Sequence, residues 1–127
     1  MRATPQALYT EWTERFDQWF AAPGTLSMTA AVNAPFFFQV EADGELHSHY
    51  GRFLKLDPAR LIELTWITGA GGTDGAETVV TIDLTPAGSG SALRLTHAGF
   101  SDQAARDRHD EAWPQVLANL DEHTAAG

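Results

Sequence analysis

Five of the twelve residues from Tyr9 to Phe20 are aromatic: Tyr9, Trp12, Phe16, Trp19 and Phe20. Counted from Tyr9 the others fall at offsets 3, 7, 10 and 11, which gathers them on one side of a helical path. A face of that size is not left in water. The rest of the chain must set a broad apolar surface against it, or a pocket that these rings help to wall.

The chain is long enough to do either. Its 127 residues fit one domain, 1–127, around one core, and 43% apolar with 20% charged is the balance of a globular protein. No apolar run approaches the roughly 20 residues needed to span a bilayer. No charged-then-apolar leader opens the sequence, so a cytoplasmic location is expected. The absence of cysteine excludes disulfides, thiolate nucleophiles and thiolate metal sites. Eight Lys and Arg against 17 Asp and Glu give a net charge of −9, spread without blocks. Such a surface repels phosphate backbones and anionic lipid, which argues against nucleic-acid and membrane partners.

Thr4-Pro5 reads as an N-cap followed by proline at the first helical position. A helix runs from there towards Trp12, and Thr13 is placed to cap a second short helix through Phe16 to Phe20. Pro23-Gly24 ends it. Strand patterns follow at Thr25–Ala31 (weak), Phe36–Glu41, Glu45–Leu56, Arg60–Thr68, Glu77–Thr85 and Ser91–Ala98. Ala42-Asp43-Gly44 reads as a hairpin turn, Asp57-Pro58-Ala59 as a turn and Gly69–Gly75 as a flexible loop. Gly51 reads as a bulge in the long strand. Ile62, Leu64 and Trp66, then Val80, Ile82 and Leu84, alternate with polar residues, which predicts an antiparallel sheet with one apolar face. Ser101-Asp102 begins a closing helix to about Thr124, with Ala105, Ala112, Trp113, Val116, Leu117 and Leu120 on one face. Pro114 is expected to kink that helix or divide it in two.

At this point the chain resembles a known family. Tyr9-Thr10-Glu11-Trp12-Thr13 with Trp19-Phe20 resembles the "aromatic-x-x-Trp-Thr … Trp-Trp" opening of Hsp-90 ATPase activator homologue domains. Gly51 followed by Leu54-Lys55-Leu56-Asp57-Pro58, Arg60-Leu61 and Thr65-Trp66 is similar to that family's central "Gly … Asp-Pro-x-x-Leu … Thr-Trp" pattern. Leu95-Thr96-His97-Ala98-Gly99-Phe100 looks like its last strand and Trp113 like its closing-helix tryptophan. The resemblance implies an α+β, START-like helix-grip fold. In it a curved antiparallel sheet of about six strands wraps a long C-terminal helix, with two short N-terminal helices, and can enclose an apolar cavity. Related domains include polyketide cyclases, lipid carriers and hormone receptors, so fold alone does not set function. Two features depart from the pattern. Only Met1 to Thr4 precede the first helix where the family has a full first strand, and Ala112 and Pro114 flank Trp113 where glycine usually precedes it. A shortened first strand would leave a sheet edge open to pairing, and so to a homodimer. Nothing in the sequence resembles the separate N-terminal chaperone-binding domain of the eukaryotic co-chaperone.

Candidate functional residues divide into aromatic walls and polar groups. Trp12, Phe16, Trp19, Phe36, Phe38, Tyr50, Trp66, Phe100 and Trp113 are the expected lining of a cavity for an apolar or aromatic small molecule. His97, on the apolar face of the last strand, and Tyr50 are the expected polar anchors. His47 and His49 share a strand face within reach of one metal ion. No third ligand is evident beside them, and they read as exposed. His109, Asp110 and Glu111 offer a general acid/base set for a cavity mouth but read first as a solvated helical face. No nucleophile elbow, phosphate loop or zinc-binding helix pattern is present, and no cofactor or metal is expected. Ligand binding is the leading expectation. The alternatives are a cyclase- or hydrolase-type enzyme using His97 and a co-chaperone-like interaction domain.

Overall fold

The computed structural model describes residues 1–69 and 72–126. Ala70 and Gly71, which fall in the glycine-rich loop, and Gly127 lie outside the described residues. Helix α1 (Pro5–Thr13) starts as read: Pro5 occupies the first turn and the Thr4 hydroxyl accepts the Ala7 N–H at 3.3 Å. Thr13 does not cap a second helix. Its hydroxyl turns back to the Tyr9 carbonyl at 2.8 Å, and the segment beyond condenses to a single uncapped 3-10 turn over Phe16–Gln18.

Six strands follow: β1 (Ser27–Met28), β2 (Pro35–Ala42), β3 (Glu45–Asp57), β4 (Leu61–Thr68), β5 (Thr78–Ala87) and β6 (Gly90–Ala98). They form one antiparallel sheet in strict chain order. The β2–β3 connection is a two-residue turn with both φ positive, Asp43 at 54° and Gly44 at 77°, as a primed hairpin turn requires. Helix α2 (Gln103–Ala126) is begun by the Asp102 carboxylate, which accepts the Ala105 N–H at 2.8 Å. Pro114 does not divide it. The helix is continuous through that residue, whose ring is on the exposed side. At the other end of the chain the Met1 ammonium donates to the Ser91 carbonyl and the Ser91 N–H to the Met1 carbonyl, each at 3.0 Å. This pair ties the N-terminus to the start of β6. Among the described residues no helix is long and apolar enough to cross a membrane.

The β3–β4 register moves the expected bulge. Partner positions hold one alignment from Tyr50–Ile67 to Phe53–Leu64, then shift by one at Lys55–Glu63. The extra residue is therefore near Leu54 and not at Gly51. Gly51 answers a different need. A Cβ there would collide with the carbonyl and hydroxyl of Thr65, and that hydroxyl takes the Arg52 N–H at 2.8 Å. Gly51→Ala should cost about 1–3 kcal/mol because backbone, and not a flexible side-chain tip, blocks the new methyl. Urea unfolding would measure this, and an unchanged midpoint would remove the close-approach account.

Below the bulge, His47, His49, Gly51 and Phe53 all face inward, because His49 pairs with buried Phe38 and His47 with Val40. The core between sheet and helices holds Leu8, Trp12, Phe16, Phe36, Phe38, Phe53, Ile62, Leu64, Trp66, Val80, Ile82, Leu84, Trp113 and Leu120.

Candidate functional site

The N-terminal aromatic residues meet the sheet and α2 directly. Ring centroids are 6.2 Å apart for Trp12–Trp113, 6.3 Å for Phe16–Trp66 and 5.5 Å for Trp66–Trp113. Phe16 stacks on Phe38 at 5.0 Å and on Trp19 at 5.1 Å, and the Trp19 indole N–H donates to the Glu11 carbonyl at 3.1 Å. Trp12, Phe16 and Phe38 are fully buried and Phe36 nearly so. At this end of the grip the rings pack directly on one another.

The space lies at the other end, beside the β2–β3 turn. A cavity of about 470 Å³ opens between the sheet and the middle of α2. Phe20, Trp66, Trp113, Val40, Ala112 and Val116 form its apolar walls, and its polar rim comes from His47, His49, Thr68 and His109, with Asp43 at the turn. Its size falls in the range of small-molecule pockets. One side is held by the loop after β4. The Thr68 and Thr73 hydroxyls each accept the other's backbone N–H, at 2.7 and 2.9 Å, and Arg108 of α2 donates to the Gly72 carbonyl at 3.0 Å. The glycine-rich run read as a free loop is pinned at its described ends.

His97 stands behind this cavity. The Trp113 indole N–H donates to its Nδ1 at 3.1 Å, so the ring proton is on Nε2, which donates to the Thr78 hydroxyl at 2.7 Å. That hydroxyl in turn donates to the Trp66 carbonyl. A single polar chain thus links α2, β6, β5 and β4, with both ring nitrogens committed. Burial drives the His97 pKa from 6.5 down to about 3, and the neighbouring His109 pushes the same way. Such a histidine holds tryptophans in place and has no lone pair left for a ligand or a proton-transfer step. Trp113→Phe keeps an aromatic ring but removes part of the bulk and leaves Nδ1 unpartnered, and the lost hydrogen bond alone should cost about 1–3 kcal/mol. Nitrogen NMR of the wild type should show the Nε2–H tautomer for His97, and finding the other tautomer would break this chain.

His49 and His109 are the opposite case. The Nδ1 of His49 donates to the His47 carbonyl at 3.1 Å, and that of His109 to the Ala105 carbonyl at 2.8 Å. A carbonyl only accepts, so each neutral ring carries its proton on Nδ1 and presents Nε2 as an acceptor. Among the described residues neither Nε2 has a partner. His49 stacks on Phe38 at 5.1 Å and meets Trp66 edge-on at 5.2 Å. Burial lowers its pKa to about 4, partly offset by the His47 carbonyl, with smaller contributions from the His47 and His109 charges.

Several expected site residues lie elsewhere. Tyr50 is on the outer face of the sheet, 46% exposed and paired with Phe37 across β2–β3, since it alternates with inward His49. It cannot anchor a ligand in the cavity. Trp12, Phe16, Phe36 and Phe38 belong to the packed core, and Trp19 covers it. Phe100 and His97 border a second concavity of about 610 Å³ with Thr96, Asp102, Gln103 and Arg106. It is the larger of the two, but those four side chains are exposed and water competes for every polar atom in it. Trp66 and Trp113 do line the apolar cavity. Phe20, Val40, His49, His109 and Val116 line it too, and the sequence reading did not assign them to a pocket. The signal was present: Ala105, His109, Trp113, Val116 and Leu120 run at helical spacing along the buried stripe of α2. Among the described residues no three His, Asp or Glu side chains converge to hold a metal ion.

A six-stranded antiparallel meander closed by one long C-terminal helix, with a cavity between them, defines a helix-grip domain. The chain belongs to the family described as Activator of Hsp90 ATPase homolog 1-like protein, whose model matches residues 2–125. Solved structures share the fold. A protein from Chromobacterium violaceum superposes with a TM-score of 0.81 at 24% identity, covering 94% of this chain and 88% of its own. The AHSA1 protein from Silicibacter pomeroyi gives 0.81 at 21% identity, covering 99% and 93%. A protein from Mesorhizobium loti gives 0.77 at 22% identity, covering 99% and 92%. No curated protein matches the chain.

Proposed function

We propose that the protein binds a small apolar or aromatic molecule in the cavity between the sheet and α2. The observation that carries this reading is the contrast within one domain. Trp12, Phe16 and Phe53 pack to full burial at one end, whereas about 470 Å³ stays open at the other, beside the mutually packed rings of Phe20, Trp66 and Trp113. An apolar cleft of this size walled by aromatic rings is the usual form of a small-molecule site. Catalysis has less behind it, because His97 is committed at both nitrogens and Thr68, the one hydroxyl among the described lining residues, has no imidazole hydrogen-bonded to it as a base.

Thermal shift across aromatic, lipid and polyketide-like panels tests the reading. A ligand at 100 times its dissociation constant should stabilise the fold by about 2.7 kcal/mol. Ala112→Phe, which fills the cavity from α2, should keep the fold and abolish the shift. A response that survives this substitution would place binding elsewhere, and no response to any panel would end the proposal. A co-chaperone-like role has one observation in its favour: Phe37 and Tyr50 form an exposed apolar pair on the outer face, with Leu46 and Val32 also exposed. Stimulation of a purified Hsp90 ATPase that Phe37→Ser abolishes would support it, and absence of stimulation would remove it.

A further inference from the structure

The chemistry of the cavity's polar groups narrows the ligand class. This step rests on the binding role proposed above and goes further than it. Besides His47, which is exposed at the rim, two imidazoles, His49 from β3 and His109 from α2, face the same apolar space. Each has its Nδ1–H tied to a main-chain carbonyl of its own element. The tie fixes the tautomer, so what each neutral ring offers is a lone pair on Nε2. The cavity therefore holds two acceptors, where an unperturbed imidazole could have served as donor or acceptor. No lysine or arginine is among its described lining residues, and Asp43 adds negative charge at the turn. The net charge of −9 raises the cost of an anion further. Thr68 has its hydroxyl oxygen engaged by the Thr73 N–H, which leaves a single neutral O–H to offer a ligand. Phe20, Trp66 and Trp113 present aromatic surface to whatever enters.

We infer that the cavity selects a neutral aromatic molecule bearing a hydroxyl or comparable hydrogen-bond donor, held by the Nε2 atoms of His49 and His109, and that it rejects carboxylates. A buried acceptor left without a donor loses its share of water and gains nothing in return. A ligand of the right shape without the hydroxyl therefore binds more weakly, and an anion meets two lone pairs and no cation.

The experiment compares three probes of one shape: naphthol, methoxynaphthalene and naphthoate. Their affinities are measured by calorimetry at pH 8, where imidazole is neutral. Naphthol should bind about tenfold or more tighter than methoxynaphthalene, the worth of one satisfied buried acceptor, and naphthoate should bind weakest. His49→Phe and His109→Phe keep a ring of similar size and remove the acceptor. Each should reduce the naphthol preference while leaving methoxynaphthalene binding in place. Equal binding of naphthol and methoxynaphthalene overturns the donor inference and leaves the ligand-binding role standing. So does tighter binding of naphthoate. A substitution that weakens both neutral probes equally makes the imidazoles plain walls and overturns the inference as well. Binding of none of the three, with the fold intact and the wider panels also silent, takes down the binding role itself.

Discussion

Trp66→Ala is expected to bring the protein to the edge of unfolding at room temperature. Trp66 is 1% exposed and its ring lies within 5.2 to 6.5 Å of the centroids of His49, Trp113, Phe38, Phe20, Phe16, Phe36 and His97. With Trp113, it is shared by the filled end of the core, the cavity wall and the surroundings of His97. Removing a buried tryptophan costs about 3–5 kcal/mol, against about 5–15 kcal/mol for the whole stability of a domain this size. Tyr50→Ala, on the outer face, should change stability by well under about 1 kcal/mol. Urea midpoints for the two variants give the comparison. Similar losses from both would mean that the division between inner and outer face is wrong.

Acid should destabilise the fold before its carboxylates protonate. His97 titrates near 3 and His49 near 4 in the folded chain, against 6.5 unfolded, chiefly because burial disfavours the charged rings. Below pH 6.5 the unfolded chain takes up protons that the folded chain refuses, so stability falls as pH falls, through a window running from 6.5 down to those lowered values. Each site can contribute at most about 1.4 kcal/mol per pH unit in that window. Both rings keep some solvent contact, and after allowing for that screening the two together should cost roughly 2 kcal/mol between pH 7 and pH 5. His97→Gln offers Trp113 an acceptor and Thr78 a donor without titrating. It should flatten the slope by about half, and an unchanged slope would show that His97 is not a source of the acid sensitivity.

The β elements were legible because period-2 alternation is a local property. Ile62–Leu64–Trp66 and Val80–Ile82–Leu84 face the core as the pattern requires. The hairpin at Asp43-Gly44 follows from residues that tolerate positive φ. The family resemblance carried the overall architecture. The site was less legible, and His49 shows why. Its side depends on where β3 gains its extra residue, and Gly51 advertised a bulge that the register places near Leu54. The glycine was serving a clearance for Thr65, a partner far away in sequence. Tyr50 was misplaced by the same slip, since one residue of register reverses every side chain on a strand.

The sequence by itself determined a one-sided sheet, a closing helix and a dense aromatic N-terminal face, because periodicity and turn chemistry act over a few residues. It also determined that thiol chemistry is absent. Only the tertiary structure decided that Trp12 and Phe16 touch Trp113 and Trp66 directly, while the open space moved to the end walled by Phe20. Only it decided which histidine is locked and which two keep a lone pair, because a histidine's role depends on what its second nitrogen meets. For His97 that is an indole N–H from α2 and a hydroxyl from β5; for His49 and His109, which line the cavity, it is no partner among the described residues.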